Sequence, residues 1–464
     1  MRRVLTWDWR NPLRIAGTTL GTSLALALVF GLASRPASSQ LHWGFRTTLA
    51  WLAWVWESIF GVDAVGHVRA GGSLDVLGST FDGSISGNAW LGAMPLTLTV
   101  ITFLATAVAF RRATASCPDA VSALLLGARA AIVTTVPLVL VSLIVTVNAQ
   151  DLTDLLGRNS GSGSWADTAV QQWQSLNGDR SISLGLSPID AVLIPTALLL
   201  ALFAGLTILR RAWFTGQVWE GIHLSLVAPV RAIGRLAIAL VLGGLLFELV
   251  VWLVRWNTHW PSSGHRPSLT AHQWVAGFAS AIAYAGNAGA MALGLGSGGT
   301  VGYTASGASS APLLSQATVH HAHGIAWFAQ QDHLAAGIWI ALLIAPLMLA
   351  SVAWSIARAH RLDARAMLTG LTTWLVSLVL VVPALAALAN VTIAGSGSAD
   401  AAFGAGSFSG RAHGSISLGL STLICTFLVF VYALLICALL VARAGSRTSA
   451  RSSAADTGLL SSPR

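Results

Sequence analysis

Seven of the twelve histidines fall between positions 259 and 333. Four of them, His320, His321, His323 and His333, stand close together, with Asp332 beside the last. Imidazoles and a carboxylate at such spacing are ligands for Zn²⁺ or Cu²⁺. The same cluster without a metal responds to external pH through imidazole protonation. No HExxH motif selects the first reading, so both stand. A second candidate is the stretch GNAGAMALGLGSGG, which begins at Gly286. Glycine interrupts helices, and a helix broken beside Asn287 presents N–H and C=O ends to a cavity, as the discontinuous helices of transporters do. The Asn287 amide adds a donor and an acceptor. Gly286, Gly294 and Gly296 belong to the same break, or else let neighbouring helices approach closely.

Glu248 lies within LLFELVVWLVRW. An acid inside an apolar run marks function by default, because ionising it in hydrocarbon is costly. Two turns on stands Arg255, toward which an interfacial Glu248 reaches in the structural reading. Asp190 follows Ser187 and Pro188, the order expected where a serine caps a helix, a proline starts it and an acid meets its positive end. GxxxxGK[ST], GxSxG and a Rossmann fingerprint are all missing. The sequence therefore motivates neither an enzyme nor a cofactor.

These residues sit in a chain that is 55% hydrophobic and 9% charged, with a mean hydropathy of +0.71. Soluble domains carry about 25% charged residues, so this chain belongs in lipid. Nine apolar runs are long enough to span: 15–33, 91–110, 130–147, 189–209, 232–254, 274–295, 334–357, 369–388 and 416–442. The first exceeds a signal-peptide core and reads as a retained helix. Cys117 lies in a short basic connection, and Cys425 and Cys437 lie in the last run, so no disulfide is expected.

All 26 basic residues are arginine. They crowd the N-terminus, the short connections around Arg111, Arg112, Arg129, Arg210, Arg235, Arg358 and Arg365, and the C-terminal tail. The positive-inside rule puts these segments and both termini in the cytoplasm of a bacterial plasma membrane, beside anionic lipid headgroups. The net charge of +9 is then topological and implies no nucleic-acid partner. The long Ser/Gly-rich segments face outward. Parity requires that the run 274–295 break or re-enter. The expected fold is an all-α polytopic membrane protein. About eight full spans form four hairpins (approximately 1–118, 119–220, 221–362 and 363–444) within a membrane domain, 1–444. A disordered cytoplasmic tail, 445–464, follows.

The phrase SISLGLS occurs at 181–187 and again at 415–421, and GSISGNAW begins similarly at Gly83. DAVSALLLGA at Asp119 echoes DARAMLTGL at Asp363, which suggests internal repetition. Alternation in SISLGL, TVGYTASG and GSFSG reads as short strands of a small extracytoplasmic β cap, or as plain Ser/Gly linker. LAWLAWVWESIF, 49–60, suits an amphipathic helix in the interface.

The stretch GNAGAMALGLGSGGTVGYTASG, 286–307, resembles two actinobacterial groups. One is the streptophobe family of multi-pass membrane proteins. The other is the PerM cell-division family, whose Pro-Asn-Ala element precedes a Gly-rich stretch. Asn287 and Ala288 match that element, and Gly286 stands where it has proline. Arginine-only, Ala- and Gly-rich usage fits such GC-rich genomes. The resemblance implies a non-enzymatic scaffold or accessory role in the cell envelope, with envelope or division proteins as partners. A permease with a cavity at the broken sixth run is the alternative.

Overall fold

The computed structural model describes residues 9–35, 44–76, 79–148, 180–210, 217–263, 270–309, 317–326, 335–359, 364–403 and 406–459. In chain order these form α1 (Arg10–Ala33), α2 (Phe45–Ser58), β1 (Ala64–Val76), β2 (Ser79–Gly92), α3 (Leu96–Ala113), α4 (Ala120–Ile144), β3 (Val147–Asn148), β4 (Arg180–Leu186) and α5 (Pro188–Ile208). There follow α6 (Gln217–Ser263), α7 (Ala271–Gly296), β5 (Thr300–Ser309), β6 (Ala317–Gly324), α8 (Ala335–Ile338), α9 (Ala341–Ala359), α10 (Ala364–Ala389), β7 (Val391–Phe403), β8 (Gly406–Leu420) and α11 (Thr422–Leu459).

Among the described residues, nine helices are long and apolar enough to cross a membrane, and the chain is a multi-pass membrane protein. Their outward faces remain apolar: Leu423 is 85% exposed and Leu380 77%. Such a belt suits lipid and would be a liability in water. The runs and the helices differ where strand pairing claims residues. Leu91 pairs with Ala64, so α3 starts only at Leu96. Ile416, Leu418 and Leu420 alternate with Ser and Gly and pair with β5, so period 2 wins there and α11 starts at Thr422. At the other end, helical backbone continues to Leu459, beyond the point where composition suggested a structureless tail.

The eight strands make one sheet, in the order β3-β4-β1-β2-β7-β8-β5-β6, antiparallel throughout. Each helical hairpin contributes one pair of strands. The Ser/Gly-rich segments that fall among the described residues are therefore ladder, not linker. GSISGNAW lies in β2, and the two SISLGL copies end β4 and β8. Register shows what the phrase does. Ser181 and Ser183 fall in rows with Arg69 and His67, whereas Leu184 and Leu186 fall in rows with Gly66 and Ala64. Alternation thus gives the sheet a polar and an apolar side.

The two halves of the chain lay their strands in the same sequence. β3-β4-β1-β2 is followed by β7-β8-β5-β6. The details correspond. Ser187 N–H donates to Asp63 C=O just before β1, and Ser421 N–H donates to Thr300 C=O at the start of β5. Gly61 follows α2 and Gly298 follows α7; both have positive φ (80° and 88°), the only such glycines among the described residues. Both turn the chain from helix into strand, a conformation that a Cβ would strain.

α7 corrects one expectation. The run 274–295 is not broken at Asn287; helix is continuous from Ala271 to Gly296. Thr270 and Gln273 form a reciprocal capping box at its start. The glycines that suggested a break serve close approach instead. A Cβ on Gly244 would collide with the Ala285 carbonyl, and one on Gly289 with the Leu240 carbonyl. α6 and α7 therefore meet backbone to backbone, as small-residue contacts in lipid allow. Trp252, Trp274 and Phe278 close the far end of this pair, with ring centroids 6.0–6.2 Å apart.

Overpacking such a seam is destabilising by about 1–3 kcal/mol or more. Gly289→Val should lower the thermal unfolding midpoint of the detergent-solubilised protein by several degrees. Gly277→Ala, where a Cβ meets no atom within 4 Å, should leave it nearly unchanged.

Candidate functional site

The residue singled out by sequence, Asn287, is 5% exposed and sits where the two halves of the helix layer meet. Its Oδ1 accepts from Leu96 N–H at 3.0 Å, and its Nδ2 donates to Met94 C=O at 2.9 Å. A longer contact of 3.4 Å reaches Ala389 C=O. Leu96 opens α3 and Ala389 closes α10. Helix ends leave unpaired N–H and C=O groups, and buried ones must find partners. One amide thus serves the start of a first-half helix and the end of a second-half helix. Next to it, Gly286 N–H donates to Thr97 Oγ1 at 2.9 Å.

The surrounding glycines fit this joint tightly. A Cβ on Gly286 would stand 2.7 Å from Leu96 Cβ, on Gly294 it would strike Leu420, and on Gly296 the Ala341 carbonyl. A void among Ala290, Leu293, Gly294, Ala386, Leu420 and Cys425 is apolar and only about 10 Å³, at the lower limit for a single water. Chemically, the site can fasten helices. No ionisable group joins its hydrogen bonds among the described residues.

The other candidates are scattered. β6 places His320 opposite Thr304, His321 opposite Tyr303 and His323 opposite Val301. Strand alternation therefore assigns 321 and 323 to one side and 320 to the other. His333 lies outside the described residues. Among the described residues no three His, Cys, Asp or Glu side chains gather as a metal set. Glu248 is half-buried in α6, and its Oε2 has no hydrogen-bond partner among the described residues. The side chain of Arg255, its expected partner, is outside them. Ser187 does cap α5, accepting from Asp190 N–H at 3.3 Å.

Sequence reasoning missed Glu57. This acid of α2 is fully buried, and neither carboxylate oxygen has a hydrogen-bond partner among the described residues. α2 is held by its tryptophans: Trp51 Nε1 donates to Gly31 C=O at 2.7 Å and Trp56 Nε1 to Ser23 Oγ at 2.8 Å. Ile59, Phe60 and Val62, after the helix, join Trp56 in an apolar cluster that leaves Glu57 dry. Burial pushes its carboxyl from 4.5 up to about 8. The signal was visible as a lone acid among three tryptophans. Asp63, a few residues on, is also raised, by burial and then by the neighbouring Asp190.

Compared with family models, curated proteins and solved structures, the chain matches none.

Asn287→Leu strands the Leu96 donor and the Met94 acceptor. An unsatisfied buried polar group costs about 1–3 kcal/mol, so the variant should unfold several degrees lower, and Asn287→Ser should recover part of the loss. For Glu57 the sign follows from its raised pKa. The folded chain keeps a proton that the unfolded chain releases above pH 4.5. Stability is full below that value and declines as pH rises to about 8, then levels off. Glu57→Gln should flatten this decline in thermal scans between pH 5 and 8; parallel curves for the two proteins would mean the carboxyl is solvated.

Proposed function

We propose that the chain is a non-enzymatic scaffold of the bacterial cell envelope, with its sheet outside the membrane and with both termini and the basic face of the helical bundle in the cytoplasm. Arg111, Arg112, Arg210 and Arg358 lie at helix ends remote from the sheet, and Arg443 closes the apolar part of α11, where the positive-inside rule favours cytoplasm. Arg210 also binds there, donating to the Thr114 and Ala115 carbonyls at the end of α3. On this reading eight helices cross, in four hairpins. α7 leaves and rejoins the outer side, because its partners Met94, Leu96, Ala389 and Leu420 lie at helix–strand junctions and Ala341 opens α9. α7 is then an unbroken helix within the outer leaflet.

The observation that carries the scaffold reading is the dry joint at Asn287. A permease needs space at its helix crossings, and here glycines remove it. What the fold offers instead is a broad polar strand surface. His67 Nδ1 lies 2.7 Å from Asn88 Oδ1, and Ser86 Oγ lies 2.8 Å from Ser398 Oγ, all exposed. A rigid ladder with exposed serines, amides and imidazoles suits recognition of polar envelope partners. The corresponding order of strands in the two halves supports an internal duplication, with the second hairpin matching the fourth.

Two measurements test this. In intact cells a membrane-impermeant maleimide should label Asn88→Cys, while native Cys117, at the far end of α3, should react only after permeabilisation. The reverse pattern inverts the topology. A photo-crosslinking residue at Ser86 or Asn88 should then capture a wall-assembly or division protein whose depletion gives the same envelope defect as depletion of this chain. Crosslinks to lipid alone at both positions would refute the scaffold.

A further inference from the structure

Between α2 and the apolar side of the sheet lies a cavity of about 260 Å³. Its floor is one face of α2, with Thr47, Ala50, Trp51 and Trp54 at helical spacing. Its roof is two in-register rows of the sheet. Leu186, Ala64, Leu91 and Ile393 form one row, and Leu184, Gly66 and Ala89 the other. Gly66 keeps the second row low, since a Cβ there would already touch Leu184 at 3.5 Å. The cavity is partly open. Leu184 and Ile393 line it while remaining 43% and 50% exposed. Val145 and Val147 line it too, directly after Leu143 and Ile144 of α4, which are 60% and 75% exposed.

The lining carries no charged side chain; Thr47 Oγ1 and Trp51 Nε1 already donate to the Gly44 and Gly31 carbonyls, and the Trp54 indole nitrogen is enclosed by protein. Such a cavity is poorly suited to a peptide, whose every backbone group needs a partner. It suits hydrocarbon, and it adjoins the exposed apolar end of α4.

We propose that this cavity binds one acyl chain of a membrane lipid, entering from the lipid-facing end of α4. The site rests on the membrane reading given above. It belongs to the first half alone, because the helix in the matching place of the second half, α7, packs against α6 and the bundle instead of leaving room. Binding there wedges a lipid between α2 and the sheet, tying sheet position to the bilayer.

The test uses the full chain in phosphatidylglycerol vesicles doped with a phospholipid bearing a mid-chain diazirine. After irradiation, peptides are mapped by mass spectrometry. Adducts are expected on the peptide containing Trp51 and Trp54 or on that containing Leu184 to Leu186. They are also expected on the α4 belt at Leu140 to Ile144. The cavity-filling variants Ala50→Phe and Ala89→Phe should each cut the cavity adducts by roughly tenfold and spare the belt adducts. Cavity adducts that persist in both filled variants, or that are missing from the wild type while the belt is labelled, overturn the site. Absence of belt adducts as well overturns the membrane reading itself.

Discussion

Strand-to-strand backbone hydrogen bonds unite a helix bundle that lipid alone holds weakly together. Apolar side chains gain little from meeting one another in a solvent as apolar as they are, so helix association in a bilayer relies on close packing and polar contacts. Here each pair of helices carries a pair of strands, and all the strands enter one ladder. The seam between halves in that ladder is β2 against β7, paired from Phe81 and Phe403 to Gly92 and Thr392. The helix layer has its own seam at α7, where an asparagine amide and backbone-deep glycine contacts do the fastening. Smaller bonds repeat the idea between neighbours. Thr19 meets Thr106 across α1 and α3, and Thr135 meets Thr196 across α4 and α5.

Much of this was legible, and the limits have physical causes. Span positions followed from composition, because hydrocarbon thickness sets a length that few other constraints override. The sheet was legible only as alternation. Which strand lies beside which depends on residues far apart in sequence, and Ser, Gly and Ala carry little pairing information. The glycines of α7 misled for a definite reason. In water, glycine weakens a helix by freeing backbone that water can then solvate. In a packed, dry setting that escape is closed, so glycine costs the helix little and gives it depth of contact. Asn287 was legible for its amide but not for its partners; an asparagine that mends two helix ends looks, in sequence, like one that lines a cavity. Glu57 escaped because it belongs to a helix too short to count as a span.

The repeated phrase SISLGLS now has a structural meaning. Its serines keep one side of a strand polar, its leucines keep the other apolar, and its last serine stands at the turn into a descending helix. At 187 the hydroxyl caps that helix, and at 421 the backbone makes the corresponding bond to the neighbouring strand. The halves differ most in the helix inserted before the first strand. In the first half it is α2, of 14 residues, set beneath the sheet; in the second it is α7, of 26, drawn into the bundle. One insertion leaves a cavity and the other fills the centre.

The strand order also fixes a timetable for synthesis. β4 can close on β1 as soon as the first half has emerged, but β2 must wait for β7, and Ser86 meets Ser398 across 312 residues. β5 and β6 leave the ribosome before β7 and β8, yet β5 joins the rest only through β8. Contacts of such long sequence separation form late, and unpaired strand edges invite other chains while they wait. Once β5 has been made, then, the nascent protein carries two strands, β2 and β5, that wait for a neighbour, and the last hairpin to be made is the one that pairs with both.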